Sequence, residues 1–127
     1  AGVWVAVVGA GSLGGAWANY GGFARRGFRV VALCDIDPEK IGEDVGGVPV
    51  KPLDELVEDG RRGRIDIGII AVPGAAAQEV ADRLVEAGVR SILNFAPTRV
   101  DVGAGAEVRQ VDLATELQIL SYYRSRA

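Results

Sequence analysis

Glycines at positions 9, 11 and 14 follow directly on an uncharged apolar run, with the spacing that phosphate-binding turns use. The run at residues 3–8 predicts a buried strand, and the glycines predict a tight turn followed by a helix. Gly9 permits the turn, Gly11 lets the backbone approach a pyrophosphate, and Gly14 lets the helix pack closely. N–H groups at the start of that helix would bind the phosphates. The predicted cofactor-binding residues here are Gly9, Ala10, Gly11, Ser12, Leu13 and Gly14.

Asp35 ends a second apolar run, residues 30–34, where an adenosine ribose would need acceptors for its hydroxyl groups. A carboxylate accepts those hydrogen bonds and repels a 2′-phosphate, and no arginine follows before Pro38. The sequence therefore favours NAD over NADP. The alternative is that Asp35 only begins a turn towards Pro38. Ile36 and Lys40 complete the predicted cofactor-binding residues of this segment.

Two apolar segments, at residues 71–74 and 94–97, follow later strands at the edge where α/β sheets bind ligands. Oxidised nicotinamide carries a positive charge that an apolar pocket would strip of water, whereas the reduced ring is neutral. We therefore predict that the cofactor is NADH or NAD⁺ and that NADH binds more tightly. The predicted contacts are Ala71, Val72, Pro73, Asn94, Phe95, Ala96 and Pro97.

Side chains suited to catalysis are scarce. The chain has no histidine, and Lys40 and Lys51 are expected to lie far from a nicotinamide. Tyr20 has no neighbouring lysine to activate it, and Cys34 ends a buried strand, where a lone cysteine usually behaves as a small apolar residue. We predict no catalytic residue, no metal site and no enzymatic activity.

Length and composition are those of one domain, with 127 residues, a net charge of −3 and one cysteine. The absence of a basic stripe argues against nucleic-acid binding by this segment itself. Arg61, Arg62 and Arg64 are interpreted as a solvated turn rather than a DNA-binding patch. The uncharged residues 1–24 are interrupted by glycines, so we predict no signal peptide, no membrane span and a cytoplasmic location.

Strand and helix patterns alternate as in parallel βαβ units. They predict an α/β fold with a Rossmann-like, doubly wound, mainly parallel sheet. The predicted strands are residues 3–8, 29–34, 48–50, 65–72, 91–95 and 107–111, with the third at or near a sheet edge because it contains a proline. The predicted helices are residues 13–20, 53–57, 75–87 and 113–125, and residues 60–64 are predicted to be a loop.

Five short motifs are spread along the chain: Val-Val-Gly-Ala-Gly-Ser-Leu-Gly at 7–14, Tyr-Gly-Gly-Phe at 20–23, Asp-Ile-Asp-Pro-Glu-Lys at 35–40, Asn-Phe-Ala-Pro at 94–97 and Val-Asp-Leu at 111–113. Together they closely resemble the Rex redox-sensing transcriptional repressors over essentially the whole chain. The motifs at 20–23 and 94–97 are not general Rossmann features, which makes the resemblance specific.

The resemblance implies a cytoplasmic homodimer that represses respiratory or fermentative genes and leaves its operator when NADH binds. It implies an NAD(H)-binding domain at residues 1–111 and a C-terminal helix, residues 112–127, that is exchanged between subunits. In the family, the aspartate that matches Asp112 bonds the tyrosine that matches Tyr20 when NADH is bound. In the DNA-competent state, the same aspartate pairs with an arginine of the DNA-binding domain. Tyr20, Asp112 and Leu113 are therefore the expected switch and dimer residues.

The family also carries an N-terminal winged-helix domain, which these 127 residues do not contain. Operator binding is expected only through that domain. From the residues alone, the final helix is more apolar than a surface helix needs, and packing on its own sheet or on a partner's both stay open.

Two other functions are considered beside the redox sensor. One is the cofactor-binding domain of an NAD-dependent dehydrogenase separated from its catalytic half. The other is a CoA-binding Rossmann domain of the ligase type, which would have less need of Asp35.

Overall fold

The computed structural model describes residues 2–11 and 25–112, and in this part of the chain seven strands form one sheet. The elements in chain order are β1 (Val3–Val8), β2 (Phe28–Asp35), β3 (Asp44–Val45), β4 (Val48–Pro52), α1 (Glu55–Arg62), β5 (Ile67–Ile70), α2 (Gly74–Glu86), β6 (Ser91–Asn94), a 3₁₀ turn (Gly103–Gly105) and β7 (Glu107–Gln110).

The strand order is β3-β4-β2-β1-β5-β6-β7, and every described pair is parallel except β3 with β4. The chain builds outwards from β1 in one direction through β2 and β4, and in the other through β5, β6 and β7. The order therefore reverses between β1 and β5, which is the topological switch point where α/β sheets bind ligands. The predicted Rossmann-like, mainly parallel fold is confirmed.

Apolar side chains cover both faces of the sheet. On one face, Leu56 of α1 and Leu84 of α2 are completely buried against strand residues that include Val8 and Ile70. On the other face, Val7 and Leu33 centre a second buried cluster. Burial of each such side chain contributes about 1.5–3 kcal/mol, so the two clusters are the main source of the sheet's stability.

Several strands differ in length from the prediction. β2 is one residue longer at each end, whereas β5 covers only residues 67–70 of the predicted 65–72. The cause is visible in Ile65 and Val72, which are 6% and 5% exposed although they lie outside the strand. An apolar residue indicates burial rather than strand pairing, and here the buried residues extend beyond those that the sheet pairs by hydrogen bonds.

β4 was predicted at or near an edge, and it lies next to the edge strand β3, which the sequence analysis missed. Gly46 and Gly47 join the two strands with φ of 60° and 86°, and Gly47 N–H donates to Asp44 Oδ1 at 2.8 Å. A Gly-Gly pair between valines is a hairpin signal that could have revealed β3.

The prediction of a loop at residues 60–64 is wrong for its first three residues, because α1 continues through Gly60, Arg61 and Arg62. A Cβ atom on Gly60 would lie 2.8 Å from the Cβ of Ala87 and 2.9 Å from its Cα. Gly60 therefore allows α1 to pass close to the end of α2. The glycine that was interpreted as part of a loop lies in a helix, where it permits close packing.

The arginines of this region do not form an open basic patch. Arg61 pairs with Glu58 at 3.2 Å, and Arg64 pairs with Asp66 at 3.0 Å while its guanidinium lies 5.2 Å from the centre of the Trp4 ring. Two of the three charges are therefore partnered by carboxylates.

Other predictions agree with the structure or lie outside the described residues. α2 begins and ends one residue earlier than predicted, and Gly88, with a φ of 86°, follows its end. β7 matches the predicted strand to within one residue. The predicted helices at residues 13–20 and 113–125, and with them the exchanged helix, fall on residues that the structure does not describe.

Substitution Gly60→Ala separates helix propensity from packing. Propensity alone would stabilise the protein by about 1 kcal/mol, but we expect a loss of about 1–3 kcal/mol because the new methyl group overlaps Ala87. Urea-induced unfolding measures the change. The control is Gly105→Ala, since no described atom lies within 4 Å of a Cβ there. A stabilised Gly60→Ala variant would show that the two helices do not pack in this way.

Candidate functional site at the carboxyl edge of the sheet

The residues that follow the strands emerge together at the carboxyl edge of the sheet. Each strand end is tied to its neighbour by one further backbone hydrogen bond beyond the paired residues. The donors are Gly9, Ala71, Phe95 and Val111, and their acceptors are Cys34, Val8, Ile70 and Asn94, at 2.8–2.9 Å. The segments predicted to bind the two halves of a dinucleotide are thereby brought side by side.

Gly9 lies at the switch point between β1 and β5. Its φ is 118°, and a Cβ atom there would lie 2.7 Å from the carbonyl carbon of Ala71. Any other residue would be both strained and in collision with backbone. The prediction that Gly9 permits a tight turn agrees with this geometry, and the same glycine lets the turn touch the segment after β5.

Gly11 differs from Gly9 because nothing in the described residues requires a glycine. It is exposed, its φ is not positive, and no described atom lies within 4 Å of a built Cβ. Among the described residues, this leaves the position open where the prediction places a pyrophosphate. Ser12, Leu13, Gly14 and Tyr20 lie outside the described residues.

Asp35 fixes the glycine turn to the end of β2. The residue is 7% exposed, and its carboxylate accepts hydrogen bonds from the N–H groups of Ala10 at 2.7 Å and Asp37 at 2.9 Å. The second bond begins the turn towards Pro38, so the simpler interpretation of Asp35 also describes a contact that exists. Because a carboxylate has about four acceptor positions, the two bonds from described residues do not fill it.

The neighbours of Asp35 divide into exposed and buried groups. Ile36 is 41% exposed, which makes it one of the large apolar side chains that face solvent, and Lys40 is half-buried in the following turn. Cys34 is fully buried, and this burial raises the pKa of its thiol from 9.0 to about 12. Cys34 is therefore an inert apolar residue and not a redox thiol.

The segments after β5 and β6 form the other half of the edge. Val72 and Ala96 are buried, whereas Pro73 and Pro97 are exposed. A Cβ on Gly74 would lie 3.6 Å from Pro97, so the two segments are in close proximity. Their surface is mainly backbone and apolar side chain, as predicted.

Asn94 is fully buried and satisfied within the protein. Its amide donates to the carbonyl of Thr98 and to Oε1 of Gln110, both at 2.8 Å, and its Oδ1 accepts from Ala96 N–H at 2.9 Å. Asn94 thus shapes the segment that follows it, and its contact with a cofactor stays a prediction. Gln110 was missed by the sequence analysis, because only the β6–β7 register places it opposite Asn94.

A pocket of about 460 Å³ opens between the ends of β6 and β7. It is lined by Phe95, Ala96, Pro97, Thr98, Arg99, Gln110, Val111 and Asp112. The predicted switch residue Asp112 therefore shares a pocket with the predicted nicotinamide contacts. Leu113 lies outside the described residues.

Comparison with known proteins assigns the family. The family model described as CoA binding domain matches residues 3–98. The redox-sensing transcriptional repressor Rex of Streptomyces coelicolor is 57% identical over 122 residues, which are 96% of this chain and 47% of the relative. The chain belongs to the CoA-binding domain family and to the Rex family. The resemblance found in the motifs is confirmed.

Solved structures agree with membership of the Rex family. RSP, a Rex-family repressor, is 35% identical and matches with a TM-score of 0.87 in its complex with β-NADH. Its complex with β-NAD⁺ and operator DNA matches with a TM-score of 0.86. These matches cover 98% of this chain and 60% and 58% of the RSP chains. The chain spans about half the length of the Streptomyces relative.

More distant structures share the fold alone. UDP-D-quinovosamine 4-dehydrogenase from Vibrio fischeri matches with a TM-score of 0.59 at 22% identity. The Rex relatives are named as repressors and not as enzymes. In the described part of the chain no helix is long and apolar enough to cross a membrane.

Replacement of Asp35 tests the anchoring of the glycine turn. We expect Asp35→Asn to lower the free energy of unfolding by about 1–3 kcal/mol, because an amide offers one oxygen where two N–H groups need acceptors. Urea-induced unfolding without ligand gives the value. Asp37→Asn is the matched control, since Asp37 accepts only an exposed N–H, from Glu39, among the bonds described here. Equal stabilities of the two variants would contradict the anchoring role.

Proposed function

We propose that this chain is the NADH/NAD⁺-sensing domain of a Rex-type transcriptional repressor. The observation that carries the proposal is the pairing, at one sheet edge, of an anchored glycine turn with an apolar pocket. Support comes from the Rex-family repressor RSP, which has been crystallised with NADH and, in another complex, with NAD⁺ and operator DNA.

The adenosine half would be held by the glycine turn and the end of β2. No described atom lies within 4 Å of a Cβ built on Gly11, which is consistent with a pyrophosphate that approaches the backbone directly. The remaining acceptor positions of Asp35 would receive the ribose hydroxyls, and the exposed side chain of Ile36 would pack on the adenine. Lys40, in the next turn, would border the same half of the site.

The nicotinamide half would lie against the segments after β5 and β6. Arg99 and Asp112 bring one charge of each sign to the pocket, so the lining has no net charge to balance an oxidised ring. Transfer of that positive ring into the apolar part of the pocket is unfavourable unless a partner compensates it, whereas the neutral reduced ring has no such penalty. Binding would therefore report the redox state of the cofactor without any turnover.

Regulation would follow from the family's switch. In the proposal, Tyr20 and Asp112 bond one another when NADH is bound, and residues 112–127 form the helix exchanged within a homodimer. The winged-helix domain that the family carries would hold the operator and release it on NADH binding. The protein would act in the cytoplasm, where NADH is the signal.

The dehydrogenase alternative has weaker support. The quinovosamine dehydrogenase shares the fold alone, and the described residues supply no histidine and no reactive cysteine at the pocket. We therefore propose that the chain has no enzymatic activity.

Competition between nucleotides tests the ligand class. We expect NADH to bind and both NADPH and CoA to bind at least about tenfold more weakly, a difference of about 1.4 kcal/mol. The reason is that each competitor carries a phosphate on its ribose, next to the Asp35 carboxylate. Calorimetric titration with each nucleotide gives the affinities. Tighter binding of CoA than of NADH would favour the ligase-type domain.

The variant Gly11→Val tests whether NADH binds at the glycine turn. A side chain there fills space that no described atom occupies, so the fold should keep its stability while NADH affinity falls. Unchanged NADH affinity in a folded Gly11→Val protein would place the nucleotide elsewhere.

A further inference from the structure

Gln110 occupies a bridging position that no catalytic or cofactor role explains. It ends β7, where it is paired in register with Asn94 at the end of β6. Its side-chain amide is bonded at both ends: Oε1 accepts from Asn94 Nδ2 at 2.8 Å, and Nε2 donates to the carbonyl of Ala96 at 2.8 Å. An exposed glutamine is seldom held in this way, since ordering its long side chain costs conformational entropy.

The two amides together hold the segment after β6, residues 95–98, which we call the ring segment. Asn94 bonds the N–H of Ala96 and the carbonyl of Thr98, and Gln110 bonds the carbonyl of Ala96. The ring segment forms no regular secondary structure. These side-chain bonds therefore take the place of the backbone hydrogen bonds that a helix or sheet would provide.

The ring segment is also a wall of the 460 Å³ pocket, and Gln110 lines the same pocket. Loss of the Gln110 bridge would free the Ala96 carbonyl from β7 while leaving the bonds of Asn94 to Ala96 and Thr98 in place. The expected consequence is a looser wall that admits water to the apolar part of the pocket.

We propose that Gln110 is a positioning residue that holds the ring segment closed on β7 and thereby sets the preference of the pocket for the reduced over the oxidised nicotinamide. The inference rests on the proposed function. A closed wall keeps water from the ring and so disfavours the positive charge of NAD⁺, whereas a loosened wall lets water solvate that charge and weakens contact with the neutral ring.

The test compares two glutamine-to-methionine variants, each of which removes an amide bridge to the segment that connects β6 with β7. Gln110→Met removes the bridge to the ring segment. Gln78→Met is the matched control, because Gln78 makes a similar two-ended amide bridge to the N–H and carbonyl of Asp101, at 2.9 and 2.8 Å, away from the pocket. Dissociation constants for NADH and NAD⁺ are measured calorimetrically for both variants and the wild type, and thermal unfolding checks the fold.

We expect Gln110→Met to lower the ratio of the NAD⁺ to the NADH dissociation constant by about fivefold, the factor that corresponds to one net hydrogen bond. Gln78→Met should lower thermal stability by a similar amount and leave the ratio unchanged. If Gln110→Met does not fold, Gln110→Ala removes the same bonds and serves in its place.

Three results would overturn the inference. A wild type that prefers NADH, with an unchanged ratio in folded Gln110→Met, refutes the role of Gln110 and leaves the proposed function intact. A wild type without any preference refutes the proposed function and this inference with it. A ratio that falls equally in Gln78→Met would assign the effect to general loosening of the connection and not to the bridge.

Discussion

The backbone of Gly9 lies against the carbonyl group of Ala71, and this contact sets how closely the two halves of the ligand-binding edge approach each other. It exists because β1 is paired with β5 up to Ile70 and because residue 9 has no side chain. The glycine turn, the end of β2 and the segments after β5 and β6 are all placed relative to this point. The register of β1 with β5 therefore sets the distance between the two halves of the candidate site.

Around that point, polar side chains, of which Asp35 and Asn94 are buried, fix backbone that has no regular secondary structure. Asp35 holds the glycine turn through Ala10, and Asn94 and Gln110 hold the segment after β6. In each case a side-chain oxygen or amide satisfies main-chain groups that would otherwise be costly to bury. Polar groups are thus directed inward to the backbone, and the surface left towards the pocket is mainly apolar. In the proposed function, that apolar surface distinguishes a neutral ring from a charged one.

The sequence predicted an element correctly wherever the nearby residues alone were sufficient to define it. The apolar runs of β1 and β2 and the glycine after α2 placed those elements to within one residue, because burial and cap chemistry are local. Prediction failed at Gly60, where a glycine interpreted as a turn lies inside a helix to admit Ala87. No property of residues 55–62 alone reveals a neighbour twenty-seven positions away in the chain.

The candidate site shows the same division. The glycine motif and the carboxylate after β2 indicated its adenosine half, since their spacing is itself the signal. Asn94 was predicted to be a ligand contact, yet its amide is bonded to the protein's own backbone and to the side chain of Gln110, which was not predicted at all. Both results depend on the pairing of β6 with β7, which the sequence predicts only as the existence of two strands.

The most direct test of the account is a side-by-side calorimetric titration of this chain with NADH and with NAD⁺ at equal ionic strength. We expect NADH to bind at least about tenfold more tightly than NAD⁺, a difference of about 1.4 kcal/mol that one poorly solvated charge readily supplies. Equal affinities, or binding of neither, would contradict the claim that an apolar pocket at this sheet edge senses the redox state of the nicotinamide.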